Sequence, residues 1–453
     1  MSASRNTILR LINASQHSAC PCHTCNTTSR THGHAHGLNQ LRRFASPGVQ
    51  PIEKEYAFEV AASNLRFGDG VTSEVGMDLR NMNARKVGVF TDPNIAKLRP
   101  MKNALASLEA QTDLPFEVYD RVVAEPTEES WRDAIAWART HDFSHFLAVG
   151  GGSVIDTAKA ANLFNTYKDA DLMDFINAPV GKGLPISEKL SPLIAIPTTA
   201  GTGSETTGAA IPGHYVSFPS LKPVLGIVDA MNTESCPREV QISSGLDTLF
   251  HSMESYTAIP YTERVPRPAN PILRPAYQGS NPVADIFSMW ALQTTVKYLP
   301  RIAKNPDDEE ARRQMLACWH HQFAGIGFGN AGISGLNKKG PKYKHPGYLV
   351  DTPIIPHGVS VSITGPAVFQ FTAPSSPDRH RSHLYEAIAR FLDGVGVPRG
   401  LKALGYTTSD IDKLVDGAIP QRRVLDLAPG IGNVAGEDGR EYLTRIIERS
   451  MEY

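Results

Sequence analysis

An excess of charge of either sign is missing from this chain: 45 Lys and Arg stand against 46 Asp and Glu in 453 residues. That balance excludes a general attraction to nucleic acid or to an anionic membrane. Long apolar runs are missing as well. Gly, Pro or a charge breaks each hydrophobic stretch short of the ~20 residues that span a bilayer, so an integral membrane protein is not expected. Cysteine is scarce, with 5 residues. Cys236 and Cys318 stand alone and read as plain core residues, and no disulfide framework follows. What the chain does have is a hydrophobic share of 41% over a length that exceeds one usual domain, which predicts two packed domains.

Acidic residues are absent before Glu53, while Arg5, Arg10, Arg30, Arg42 and Arg43 all fall in that stretch among Ser, Thr and Asn. This is transit-peptide composition. Leu9, Leu11 and Ile12 around Arg10 can make a short amphipathic turn, and Arg42-Arg43-Phe44-Ala45-Ser46 resembles a processing region. Residues 1–50 are therefore read as a disordered mitochondrial transit peptide directing the protein to the matrix, in preference to a cytosolic tail, with the mature chain starting between Phe44 and Val49. Cys20, Cys22 and Cys25 with His32, His34 and His36 lie in the same stretch. A zinc knuckle there is disfavoured, because the cysteines do not form two C-x-x-C units and a removable segment needs no metal site.

Short β-rich runs at 86–92, 146–150 and 192–196 alternate with helical patterns at 130–140 and 154–164. Such alternation implies βαβ units and a parallel sheet. Beyond about residue 233 the pattern turns helical, at 245–257, 282–298, 307–323 and 383–394. The expectation is a Rossmann-like α/β nucleotide-binding domain over 51–235 and an all-α domain over 236–453. The Pro-rich stretch 260–282 reads as a long loop, a kind of segment that is often functional.

Two turns after strands carry the nucleotide signal. Gly150-Gly151-Gly152-Ser153 precedes a helix with Asp156 and Lys159 in its first turns, and Thr198, Thr199, Thr202 and Ser204 crowd the next turn ahead of Glu205. Glycines let backbone amides approach an anion, and a helix N-terminus favours negative charge, so a pyrophosphate fits. Asp92 closes the first strand, where a carboxylate accepts from a ribose 2′-hydroxyl and repels a 2′-phosphate, which favours NAD over NADP; the alternative is a cap on the following turn. Asp247 and His251 are four apart on one helix face, which is metal-ligand spacing and equally that of an ordinary helical pair. His357, in Pro356-His357-Gly358, is a second candidate, and the three together make an O/N donor set suited to iron or zinc.

These motifs in this order, Gly150 to Lys159, Pro197 to Glu205, Gly245 to His251 and Pro356 to Gly358, resemble the iron-containing (group III) alcohol dehydrogenases from about Phe58 onward. The resemblance implies the α/β plus all-α architecture shared with dehydroquinate synthase, NAD, a divalent metal with iron ahead of zinc, and a site in the cleft between the two parts. Within that family, the runs from Glu254, Arg274 and Ala324 resemble the mitochondrial hydroxyacid-oxoacid transhydrogenases. That likeness implies hydride transfer from 4-hydroxybutyrate or 3-hydroxybutyrate to 2-oxoglutarate, giving 2-hydroxyglutarate, with small hydroxy and oxo acids as partners. Arg264, Arg267 and Arg274 on the Pro-rich loop are then candidates for binding substrate carboxylates, against the plain reading as exposed loop arginines. A homo-oligomer is left open.

The departures are specific. The family carries two His four apart after its Gly-Phe-Gly-Asn-Ala-Gly run, the first a metal ligand and the second near the nicotinamide, but here Gly332 passes directly into Ile333-Ser334-Gly335-Leu336. His320 and His321 lie about twelve residues earlier, roughly 18 Å along a helix, too far to substitute. His345 sits in a loop that could in principle swing inward. The chain is also short against the family near 211–214 and 379–386. Either coding segments are lost from the sequence or activity is lost from the protein. The expectation is a chain that binds NAD, holds metal poorly and lacks the family's catalytic His pair, with an NAD-releasing alcohol dehydrogenase and an impaired nucleotide-binding homologue as the competing readings.

Overall fold

Four short apolar runs, Val87–Phe90, His145–Gly150, Leu193–Pro197 and Leu225–Val228, are buried at every position. Strands that lose both faces to the interior belong in a parallel sheet covered by helices on both sides. The computed structural model contains that sheet and describes residues 53–60, 63–177, 180–210, 216–275, 277–318, 333, 337–348, 352–379, 383–421, 425–431 and 437–453. Numbered along the chain, the strands are β1 (Asn64–Phe67), β2 (Val87–Phe90), β3 (Phe116–Tyr119), β4 (His145–Gly150), β5 (Leu193–Pro197), β6 (Ala209–Ala210), β7 (Val216–Ser217) and β8 (Leu225–Val228). Six of them pair in the order β1-β8-β5-β4-β2-β3, all parallel, while β6 and β7 form a small antiparallel pair.

Alternate residues of a strand point to opposite faces, and the sheet uses both. Val87, Val89, Leu147, Val149, Ile194 and Ile196 meet Val75 and Leu79 of α1 (Val75–Asn81) and Met101, Ala104 and Leu108 of α2 (Arg99–Glu109). Phe90, Phe146, Ala148 and Ala195 meet Ala134 and Ala138 of α3 (Glu128–Arg139) and Val154, Ile155 and Ala158 of α4 (Gly152–Thr166). A short α5 (Leu172–Phe175) follows. The chain goes from β2 to β3 on one side, then returns to place β4 on the other side of β2. The strand order therefore reverses between β2 and β4, and the crevice at such a reversal is where open α/β sheets bind ligands.

After β8 the described chain is helical: α6 (Arg238–Thr257), α7 (Pro282–Lys304), α8 (Glu309–Ala317), α9 (His357–Ser362), α10 (Gly365–Thr372), α11 (Leu384–Val395), α12 (Ile411–Ala418) and α13 (Glu437–Ser450). Leu246, Phe250 and Met253 of α6 share one core with Leu299 and Ile302 of α7, Val359 of α9 and Phe369 of α10. A Cβ on Gly245 would stand 2.5 Å from Leu299 Cδ1, so this glycine lets α6 and α7 close together.

Several boundaries differ from the sequence reading. α6 begins at Arg238, a full two turns before Gly245. The chain at 357 is helical from His357 onward, with Pro356 at the N-cap, where a turn was expected. The strands β1, β3 and β8 were not foreseen. β3 is an edge strand whose central residues are exposed, and four-residue strands leave little periodicity to read.

Candidate active site

The two sequence motifs at strand ends lie side by side. β4 and β5 pair as far as Gly150 and Pro197, and the Thr198 amide then donates to the Gly150 carbonyl at 3.1 Å. Gly151 is the N-cap of α4, and Gly152 and Ser153 are its first residues. A Cβ on Gly152 would stand 2.6 Å from the Thr202 side chain, whereas one on Gly151 would make an ordinary 3.5 Å contact with Thr199. Gly152 is thus the glycine that the fit of the two turns demands. A helix N-terminus beside a hydroxyl-rich turn, at the sheet's reversal, is suited to a pyrophosphate.

Beneath these turns lies a buried polar network. Lys159 is fully buried, and its Nζ donates to Ser204 Oγ at 2.7 Å, to the Ala209 carbonyl at 2.7 Å and to Thr207 Oγ1 at 3.4 Å. The same nitrogen is 3.6 Å from Asp156 Oδ1, which also accepts from Ser204 Oγ. Burial lowers the Lys159 ammonium to about 8, against the pull of Asp156 and Glu205. Burial pushes the Glu205 carboxyl up to about 7.

Asp92 stands at the end of β2, next to the reversal. Its Oδ1 accepts from the amides of Asn94 (2.9 Å) and Ile95 (3.0 Å), which is the capping arrangement set beside the ribose role in the sequence. One carboxylate oxygen in a cap leaves the group where it can still repel a phosphate, so capping and cofactor choice are compatible at this position.

The metal candidates converge from two helices. Asp247 and His251 lie one turn apart on α6, with His251 Nε2 3.4 Å from Asp247 Oδ1. His357, the first residue of α9, places Nε2 3.3 Å from the same oxygen. Close approach of α9 makes this geometry: a Cβ on Gly358 would fall 1.8 Å from the Ser243 carbonyl oxygen, and the Gly358 amide donates to Ser243 Oγ at 3.1 Å. Asp247 is almost fully buried. Burial works against a charge on His357, but Asp247, with Glu125 and Asp156 farther off, outweighs it and raises the imidazole above its ordinary value. A Cβ on Gly201 would stand 2.8 Å from Ser244, and Thr248 Oγ1 donates to the Ala200 carbonyl at 3.3 Å, so the Thr-rich turn adjoins α6.

Donors sharing a tetrahedral ion at ~2.1 Å stand about 3.4 Å from one another, and both N–O separations at Asp247 fall on that value. One buried carboxylate and two imidazoles fit iron or zinc in kind. As the side chains stand, no set of three or more His, Cys, Asp or Glu among the described residues encloses an ion. The three residues fit as part of a ligand set. Gly332, His320 and His321, and the shortened stretch at 211–214, lie outside the described residues, as does part of that at 379–386. His345 is committed elsewhere, with Nε2 3.4 Å from Glu239 Oε2. Glu239 precedes Asp247 by eight residues on α6, ~12 Å along the axis.

The three loop arginines divide. Arg274 binds Glu55 through Nε (3.1 Å) and Nη2 (3.0 Å), and Arg267 pairs with Glu53. Both also lie over the Tyr56 ring. These two fasten residues 53–59 to the Pro-rich loop. Arg264 keeps a buried Nη1 without a hydrogen-bond partner among the described residues, near Glu55 and Asp426. Sequence reasoning did not single out Glu125, whose backbone has a left-handed φ of 53° and whose charge adds to that of Asp247 at His357; the Glu-Pro pair before α3 was the available signal.

The chain matches a known family. The model of the iron-containing alcohol dehydrogenases matches residues 62–229, and that of the C-terminal part of the same family matches 276–429. The chain belongs to the iron-containing alcohol dehydrogenase family and is an oxidoreductase of that metal-dependent, nicotinamide-using class. Mitochondrial hydroxyacid-oxoacid transhydrogenase of Bos taurus is 43% identical to it over 490 residues, covering 100% of both chains. The Homo sapiens protein of that name is 44% identical, covering 94% of this chain and 95% of its own. Since 490 aligned positions exceed the 453 residues of this chain, the bovine protein carries a few dozen residues where this one has none. Among solved structures, alcohol dehydrogenase from Oenococcus oeni matches with a TM-score of 0.71 at 20% identity, covering 87% of this chain and 100% of its own. An iron-containing alcohol dehydrogenase from Thermotoga maritima matches at 0.68 and 20%, covering 88% and 99%. Those two likenesses establish the fold.

Proposed function

We propose that the chain is a hydroxyacid-oxoacid transhydrogenase of the mitochondrial matrix, passing hydride from 4-hydroxybutyrate or 3-hydroxybutyrate to 2-oxoglutarate through bound NAD. The observation that carries this reading is identity above 40% along the whole chain to relatives of that name, joined to the packing of the Thr-rich turn on α6, the helix that carries Asp247 beside His357. Gly150 to Ser153 and Thr198 to Ser204 hold the pyrophosphate, and Asp92 turns away a 2′-phosphate. Asp247, His251 and His357 would supply part of the ligand set for the metal, with iron favoured over zinc by the family. When bound, the metal supplies Lewis acidity that lowers the pKa of a substrate hydroxyl. Burial of Asp247 keeps its carboxylate from competing water, and the Gly358 contact with α6 fixes where His357 points. Of the loop arginines, Arg264 remains the candidate for a substrate carboxylate, since Glu53 and Glu55 occupy the other two.

The absent His pair after Gly332 favours a second reading, an impaired homologue that binds nucleotide. Purified protein assayed with 4-hydroxybutyrate, with and without 2-oxoglutarate, separates the readings. Turnover that needs both acids supports the transhydrogenase. NADH release from one acid alone indicates an ordinary dehydrogenase, and NAD binding without turnover or metal indicates the impaired homologue.

A further inference from the structure

A helix N-terminus that receives a pyrophosphate here carries a carboxylate in its first turns. Asp156 is the fifth residue of α4, so an anion at Gly152 would lie about one turn away, ~5–6 Å along the axis. Uncompensated, that charge opposes the ligand. The structure shows what stands against it. Lys159, with no exposed side-chain surface, lies 3.6 Å from Asp156 Oδ1, and Ser204 Oγ joins the two by accepting from Lys159 and donating to Asp156. The remaining contacts of Nζ, to Ala209 O and Thr207 Oγ1, hold the ammonium in the segment that follows the Thr-rich turn.

We propose that Lys159 is a positioning residue for the cofactor: its buried ammonium neutralises Asp156 and, through Ser204, holds the Gly-rich and Thr-rich turns at the separation a dinucleotide pyrophosphate requires. Two carboxylates compete for this cation. Glu205 is buried and pushed up to about 7, which leaves it partly protonated near neutrality, whereas Asp156 has the direct geometry. The ammonium itself, lowered to about 8, stays largely charged at neutral pH. A lysine with a merely structural role would need only its hydrogen bonds. One that offsets Asp156 needs its charge.

That difference sets the test, which rests on reading the Gly150 to Ser153 turn as a dinucleotide site. NADH is titrated into the wild-type protein, Lys159→Gln, Asp156→Asn and the double variant, with melting temperatures recorded alongside. Lys159→Gln keeps a donor for Ser204 and Ala209 without the charge, and its Kd for NADH is expected to rise roughly tenfold, the scale of one uncompensated charge at this range. Adding Asp156→Asn is expected to recover most of that loss. Unchanged affinity in Lys159→Gln, or a double variant as weak as the two single losses combined, overturns the role. If Lys159→Gln is not recovered folded, the double variant decides: near-wild-type binding supports the proposal and lost binding overturns it. A wild-type protein that takes up no dinucleotide would instead overturn the nucleotide reading itself, and this inference with it.

Discussion

The dinucleotide turns and the metal helix are assembled from different kinds of contact. The first is mostly local: β4 and β5 are paired neighbours and the turns after them meet through Gly152 and Thr202, while Gly201 also passes Ser244 of α6. The second draws Asp247 and His251 from one helix and His357 from more than a hundred residues later, joined where Gly358 passes the Ser243 carbonyl. A site of the first kind survives changes elsewhere in the chain. A site of the second kind fails when any one contributing segment is shortened, and the aligned relatives carry residues that this chain does not.

The largest effect expected from that contrast comes from restoring the missing segment. Inserting the family's His-containing stretch after Gly332 should raise hydroxy-acid turnover at least ~100-fold, since even partners behind the ligands matter by ~10–100-fold. Metal content should rise toward one ion per chain, and NADH affinity should stay put. Elemental analysis and a coupled assay on both proteins measure this. Full activity and stoichiometric metal before the insertion would show that three ligands suffice.

Gly358→Ala attacks the long-range contact alone. A Cβ 1.8 Å from a backbone oxygen cannot be accommodated without moving α9 off α6, at a cost of about 1–3 kcal/mol for overpacking. Metal retention should fall with it, and NADH binding should persist. Loss of both together would mean that the two sites are not separable. A smaller change is expected at Asp92: Asp92→Gly should tighten NADP binding by up to roughly tenfold by removing one repulsive charge, while freeing the Asn94 and Ile95 amides it caps. An unchanged NAD to NADP preference in paired titrations would leave Asp92 as a cap only.

How legible each region was in the sequence follows the same division. Gly150 to Ser153 and Thr198 to Ser204 could be read because strand, turn and helix are consecutive in the chain and the glycine requirement is a backbone matter. Asp247 and His251 could be nominated by helical spacing, but spacing alone could not join His357 to them. That needed the Gly358 and Ser243 contact, 115 residues apart. The loop arginines show the converse. Nothing local marks Arg274 as the partner of Glu55, 219 residues away, so a structural strap looked like a substrate clamp. Lys159 was visible as part of a motif, but its contacts with Ser204 and Ala209 exist only once β4 and β5 are adjacent.

The smallest predicted effect sharpens the view that the nucleotide side is complete and self-consistent. Glu205 is held with its carboxyl raised from 4.5 to about 7 by burial, which Lys159 only partly opposes. A raised carboxyl keeps its proton in the folded state where the unfolded chain gives it up. Its stabilising contribution is therefore full below about pH 4.5 and is lost as pH rises through about 7. Glu205→Gln has no such proton to lose. Melting temperatures of wild type and variant, compared from pH 5 to pH 8, should diverge in favour of the variant as pH rises, by about 1 °C for each ~1 kcal/mol in a chain of this size. Histidines whose imidazoles are shifted in the fold, lowered by burial at His145 and His345 and raised beside Asp247 at His357, are present in both proteins and cancel in the difference. Parallel melting curves across that range would place the Glu205 carboxyl in contact with water, and the buried charge network under the Thr-rich turn would have to be redrawn.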